Sequence, residues 1–374
     1  MFSWLVSTDE VFLMRFITIF SALVFLTVVS STVVAQETAE WSLPRTADGH
    51  PDIQGVWDFR TLTPLQRPER FGEKAFLTEE EAAALEREEF DRNLDRNQAS
   101  NPNREAPPEG GDGSRGAAGN VGGYNSFWID RGTSAVLVDG QYPTSIIVDP
   151  VNGRQPSLTA TARTQAAERA AFSGRENSGT AWWMVENGLD APGPYDDPEI
   201  RPLAERCLLG FSSTGGPPML PALYNNLKRI VQTDDYIMIL IEMVHDARII
   251  RLNQEHAPPN IRGWLGDSVG HWDGDTLVID TTNFNDTPAL RGATRDLHVV
   301  ERFTRLDANT LHYEFTVEDP NVWTAPWSGE YVWPVSNDRV YEYACHEANY
   351  SFQGILGGAR ILEQDVRDGA VPQQ

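Results

Sequence analysis

The stretch Glu242-Met243-Val244-His245-Asp246-Ala247-Arg248 places carboxylates, an imidazole and a guanidinium within a few residues of one another. Such a group can do acid–base chemistry, with His245 as the base, Glu242 or Glu347 orienting it, and Arg248 steadying an oxyanion. Strand geometry restricts this reading. On an extended strand Glu242, Val244 and Asp246 share one face and Met243 and His245 the other, so Glu242 and His245 meet only where the strand ends or bulges. Cys345-His346-Glu347 is a second group. There Tyr341, Tyr343, Cys345 and Glu347 alternate with Glu342 and His346, and a late bulge would turn His346 into a pocket. A third, Gly266-Asp267-Ser268 with His271 and Asp273, lacks the Gly-x-Ser-x-Gly elbow of a nucleophilic serine and reads as a turn. No His-Glu-x-x-His or comparable ligand spacing occurs, and no metal site is expected. His256 falls in a loop before Pro258-Pro259, His312 reads as a solvated strand residue, and His298 stands at a strand entrance with no function assigned.

Eleven tryptophans are the other chemical signal. Aromatic walls carrying a few polar groups suit an apolar or aromatic small molecule, or a sugar ring. Trp57, Trp264, Trp272 and Tyr313 are candidate wall residues, and Tyr224-Asn225-Asn226 could add amide donors and acceptors. Core and rim packing, and the satisfaction of a buried turn, are the competing uses of the same side chains. No glycine-rich phosphate loop, Walker motif or dinucleotide fingerprint is present, so no organic cofactor is expected. The chain carries 30 basic and 54 acidic residues, a formal charge of −24. So acidic a surface repels phosphate backbones and anionic lipid heads, which argues against nucleic acid as a partner.

The elements that must position these residues are mainly β. Residues 14–35 read as a secretory signal peptide: Met14-Arg15, an apolar run from Phe16 to Val29, then small residues ending in Val33-Val34-Ala35. This points to translation from Met14 and to a periplasmic or secreted protein, the alternative being a retained membrane anchor. In an oxidising compartment the two cysteines, Cys207 and Cys345, suit one disulfide. Residues 36–97 read as an N-terminal strand, Ile53–Phe59, and a helix opened by the capping box Thr78-Glu79-Glu80-Glu81, both packing on a larger β domain. Residues 98–123 read as a flexible loop. From 124 to 372 the pattern is that of one antiparallel β domain. Short runs at Phe127–Ile129, Ala135–Val138 and Ser145–Val148 precede helical stretches near Thr159–Phe172 and Pro198–Leu209. Strands then recur between tight turns at Asp273-Gly274-Asp275, Asp307-Ala308-Asn309 and Ser336-Asn337-Asp338, the last strand being Arg339–Cys345. Such a meander closes as a barrel or folds as a β-sandwich, with a few peripheral helices.

Several segments resemble a family of exported bacterial proteins of uncharacterised activity. They include Pro51-Asp52-Ile53-Gln54-Gly55-Val56-Trp57, Glu242–Arg248, Trp272-Asp273-Gly274-Asp275-Thr276-Leu277-Val278-Ile279-Asp280-Thr281-Thr282-Asn283-Phe284 and Tyr341-Glu342-Tyr343-Ala344-Cys345-His346-Glu347. The resemblance covers most of the chain after residue 35 and implies export, but no activity. Gly55-Val56-Trp57 also resembles the Gly-x-Trp that opens lipocalin-type barrels, which implies a lipocalin-like closure of the meander. Three functions are compatible with these readings: a binder of a small hydrophobic or aromatic molecule, a cofactor-independent hydrolase, lyase or isomerase acting on such a molecule, and a structural envelope protein.

Overall fold

Along Thr310–Glu318 apolar and polar residues alternate, the pattern of a strand with one face in the core. In the computed structural model of the chain, Leu311, Tyr313, Phe315 and Val317 are buried and the intervening residues partly or fully exposed. The structure describes residues 41–96, 103, 129–173, 175, 179–211, 213–347 and 349–370. The signal-peptide segment and nearly all of the loop 98–123 lie outside the described residues, as do Phe127 and Trp128.

From Leu43 onward the chain forms one unit built on a ten-stranded sheet. In chain order its strands are β1 (Gly55–Asp58), β4 (Ile147–Asp149), β5 (Leu227–Gln232), β6 (Tyr236–Ile241), β7 (Ala247–Leu252), β8 (Asp267–Asp273), β9 (Thr276–Thr282), β10 (His298–Arg305), β11 (Thr310–Glu318) and β12 (Trp327–Pro334). The short strands β2 (Phe76–Leu77) and β3 (Tyr142–Pro143) pair separately. The large sheet runs in the order β1-β5-β6-β7-β8-β9-β10-β11-β12-β4 and is curled. The curl brings β1 to the end of β12, where Trp57 bridges Val335 and the Ser336 N–H donates to the Val56 carbonyl at 2.8 Å. One sheet curled on itself, rather than two facing sheets, therefore carries the fold.

All neighbours in the sheet are antiparallel except β7 and β8, which run parallel. The expected uninterrupted meander is corrected here. A parallel pair needs a crossover of about a dozen residues, and residues 253–266 supply it. Two of the three tight turns expected in the second half join strands, with β8 ending at Asp273 before β9 begins at Thr276, and β10 ending at Arg305 before β11 begins at Thr310, whereas no strand follows Ser336-Asn337-Asp338.

The inner face is aromatic: Trp57, Phe59, Phe303, Tyr313, Phe315, Trp327, Tyr331 and Trp333 are all nearly or fully buried. Gly329 on β12 makes room for this packing, because a Cβ there would stand 2.9 Å from Cε1 of Phe315. Residues 213–220 are buried along their whole length. There Tyr313 Oη accepts from the Met219 N–H at 2.9 Å, while Tyr331 Oη donates to the Met219 carbonyl at 2.9 Å.

The helices differ from expectation at two places. Helix α1 (Glu79–Arg96) opens on the capping box as read, with Glu81 N donating to Thr78 Oγ1 and Thr78 N to Glu81 Oε2. Helix α2 (Ala160–Ser173) also lies where expected. The stretch 198–209 is not a helix: a short 3-10 turn at Pro198–Ile200 gives way to turns. Pro202 withholds a backbone donor there, and Cys207 has a left-handed φ of 57°. The expected strand Arg339–Cys345 is unpaired chain. It leads into a helix that the sequence pattern did not reveal, α4 (Tyr350–Arg367), which packs on α3 (Trp182–Asn187). Gly354, Gly357 and Gly358 lower helix propensity in this segment. Its partly buried and buried residues Phe352, Ile355, Ala359, Leu362, Glu363 and Val366 nevertheless keep a helical period.

Candidate ligand-binding cleft

Strand β6 stops at Ile241, and the chain turns through Val244 (φ 62°) and His245 (φ 47°) before β7 starts. Glu242 and His245 therefore do not share a strand. Glu242 is buried, and its carboxylate accepts from the Leu227 N–H at 3.4 Å and the Tyr341 N–H at 3.2 Å. His245 is exposed at the turn, and His346 and Glu347 are exposed in the turn after Cys345. Asp246, between His245 and β7, has its carboxyl pushed up to about 6 by burial, against the opposing pull of His245 and Lys228.

Arg248 belongs to the interior. Its Nη2 lies 2.6 Å from Glu301 Oε2, and both side chains are essentially unexposed. Ser268 and Thr281 accept from the same guanidinium, and Tyr313 Oη donates to Glu301 Oε1 at 2.7 Å. Lys228 is also fully buried, with Nζ 4.1 Å from the Phe59 ring centroid. Burial pushes its amine well below the usual lysine range, with Glu242 and Asp246 opposing the shift and Arg248 adding to it.

The expected ligand-wall residues divide. Trp57 is fully buried and donates to the Ile53 carbonyl at 3.0 Å, and Tyr313 is spent on the interior network. Trp272 stacks on His50 with ring centroids 5.3 Å apart, and Trp264 is at the surface. Asn226 holds a buried turn, donating to the carbonyls of Asp130 and Ala222 and accepting from the Ala222 N–H. Tyr224 and Asn225 remain, and both line a cleft.

That cleft has a volume of about 790 Å³. One wall is the segment 341–345, held at one end by the hydrogen bond from Tyr341 to Glu242. Its other end is fixed by the disulfide Cys207–Cys345, whose Cα atoms stand 5.7 Å apart. The start of α4 forms a second wall, where Asn349 Nδ2 donates to the Glu205 carbonyl at 2.8 Å. Phe211, Tyr224, Tyr341, Tyr343 and Phe352 supply aromatic surface, and Asn225, Asn349, Ser351, Glu205 and Glu342 polar groups. Phe211 and Tyr224 meet edge to face at 6.4 Å. Among the described residues no lysine or arginine lines the cleft, and neither do His245, His346 or Glu347. The sequence reading missed the aromatic lining residues Phe211, Tyr341, Tyr343 and Phe352. The alternation of Tyr341 and Tyr343 was visible, but their surroundings depend on a helix that was not.

Outside the cleft, a chain of hydrogen bonds between histidines and carboxylates crosses β8, β9 and β10. His256 meets Asp267 through Nδ1 and Asp280 through Nε2, each at 2.9 Å, and His298 Nε2 meets the other oxygen of Asp280 at 2.8 Å. Among the described residues no cluster of His, Cys, Asp or Glu converges as a metal site would, and no helix is long and apolar enough to cross a membrane. No family model matches the chain, and no curated protein sequence matches it.

Proposed function

We propose that this is an exported binding protein that holds a neutral or cationic hydrophobic or aromatic molecule in the cleft beside Cys207–Cys345. The observation that carries this reading is the lining: five aromatic side chains around about 790 Å³, with two amides, two carboxylates and, among the described residues, no basic group. Ligand pockets of roughly 300–1,000 Å³ with mostly apolar walls and a few placed polar groups are the common form of small-molecule sites. The curled sheet supports a lipocalin-like barrel used as a rigid frame, its inside occupied by aromatic packing and its ligand held at the β6 end. The disulfide supports residence in an oxidising compartment, the periplasm or the exterior.

Titration with the neutral fluorophore N-phenyl-1-naphthylamine tests the reading. Wild-type protein should enhance its fluorescence saturably. Ala344→Trp, which fills the cleft from an exposed position, should abolish the enhancement. Phe352→Ala should weaken binding by about 1 kcal/mol, roughly fivefold. Enhancement in Ala344→Trp equal to wild type would overturn the assignment.

A further inference from the structure

A second, smaller groove lies between α2 and the loops 291–292 and 322–323, with a volume of about 300 Å³. Ala162, Ala166, Arg169 and Ala170 fall on one face of α2, and the three small side chains leave the groove open. Leu158, Val322 and Trp323 supply the remaining apolar lining.

The groove is fixed on each side. Helix α2 is tied to the 321–322 loop by Thr159, whose N–H donates to the Val322 carbonyl at 2.9 Å and whose Oγ1 donates to the Asn321 carbonyl at 2.7 Å. Asp319 ties that loop to the far wall, accepting from the Thr294 N–H at 2.6 Å and the Asn321 N–H at 3.1 Å.

Two guanidiniums stand at this groove, those of Arg169 on α2 and Arg291 on the opposing loop. Arg169 reaches across: its Nη2 lies 3.7 Å from where a Cβ on Gly292 would stand. Neither guanidinium makes a hydrogen bond or ion pair with a described residue, and among the described residues no acidic one lines the groove. In a chain with 54 acidic and 30 basic residues, two arginines without a carboxylate partner at the rim of one apolar groove favour an anion there. Guanidiniums are also well matched to the two oxygens of a carboxylate.

We infer that this groove is a second binding site, selective for a small apolar molecule bearing a carboxylate. It is complementary in charge to the cleft beside the disulfide, and it does not depend on that cleft being occupied.

Calorimetric titration with 2-naphthoate and its uncharged analogue 2-naphthamide tests the inference. In the Ala344→Trp protein, whose cleft is filled, naphthoate should bind at least about tenfold more tightly than naphthamide, two charge-assisted contacts being at stake. In that same background Arg169→Gln with Arg291→Gln should bring naphthoate down to the naphthamide level and leave naphthamide unchanged. Both side chains are exposed and unpaired, so this variant should unfold at the wild-type temperature. Ala344→Trp should leave naphthoate binding intact. Equal affinity for the two compounds, naphthoate binding unaffected by the double substitution, or its loss in Ala344→Trp would each overturn the second site.

Discussion

Arg248 and Glu301 are a buried ion pair rather than two surface charges, and this changes what substitution does to them. Glu301 accepts from Arg248 and from Tyr313, and Arg248 also reaches Ser268 and Thr281. Removing one member leaves the other charged and desolvated, which costs about 3–5 kcal/mol. Arg248→Met should therefore lower the urea midpoint sharply, whereas Arg248→Met with Glu301→Leu should recover most of the loss; equal loss in both would refute the pairing. The sequence contained half of this. Alternation places Arg248 with Ile250 and Leu252, and Glu301 with Val299 and Phe303, on inward faces. Their meeting was not legible, because it depends on the order of β7, β8, β9 and β10. Read alone, Arg248 looked like a group to steady an oxyanion; in place it has a buried carboxylate partner.

At the scale of elements, the β7–β8 crossover shows what strand patterns omit. Two consecutive strands were readable, but their relative direction rests on residues 253–266 and on how that segment is attached. His256 pins it to Asp267 and Asp280, Asn283 Nδ2 donates to the Ala257 carbonyl at 2.9 Å, and Asp280 also holds His298 on β10. The hydrogen bond from His298 holds the Asp280 carboxyl below its usual range, outweighing burial. The same bond holds His298 above its usual range against burial, with the Asp280 and Glu318 charges adding to it. The Asp280 contribution is present above the unfolded carboxylate value of about 3.9 and is lost as pH falls through the lowered folded value. The His298 contribution is full below about 6.5 and is lost as pH rises through the raised folded value. The attachment should thus be strongest between roughly pH 4 and 6.5. Comparing thermal unfolding of wild type and Asp280→Asn across pH checks it. The difference should peak near pH 5–6 at about 1 kcal/mol, as suits half-exposed pairs, and shrink on both sides. A difference independent of pH would exclude this role.

At the scale of the whole molecule, the two cysteines were the most informative residues in the sequence, and their pairing does more than expected. Cys207 and Cys345 are separated by 138 residues, a span that includes every strand from β5 to β12. The bond was expected to end on a final strand. It ends instead on the unpaired segment that walls the cleft, because that segment has no ladder of its own and is held by Glu242 at one end and Cys207 at the other. A closed loop of this length stabilises a chain by up to about 5 kcal/mol on the loop-entropy account. The double variant Cys207→Ser with Cys345→Ser should therefore unfold at markedly lower urea concentration. At urea concentrations where it stays folded it should still lose most N-phenyl-1-naphthylamine binding, because the 341–345 wall is no longer anchored. Naphthoate binding at the α2 groove, whose walls are tied by Thr159 and Asp319, should persist under the same conditions. Retained fluorophore binding in the folded double variant would separate the disulfide from the cleft, and loss of both ligands together would show that the bond supports the sheet as a whole rather than one wall of one site.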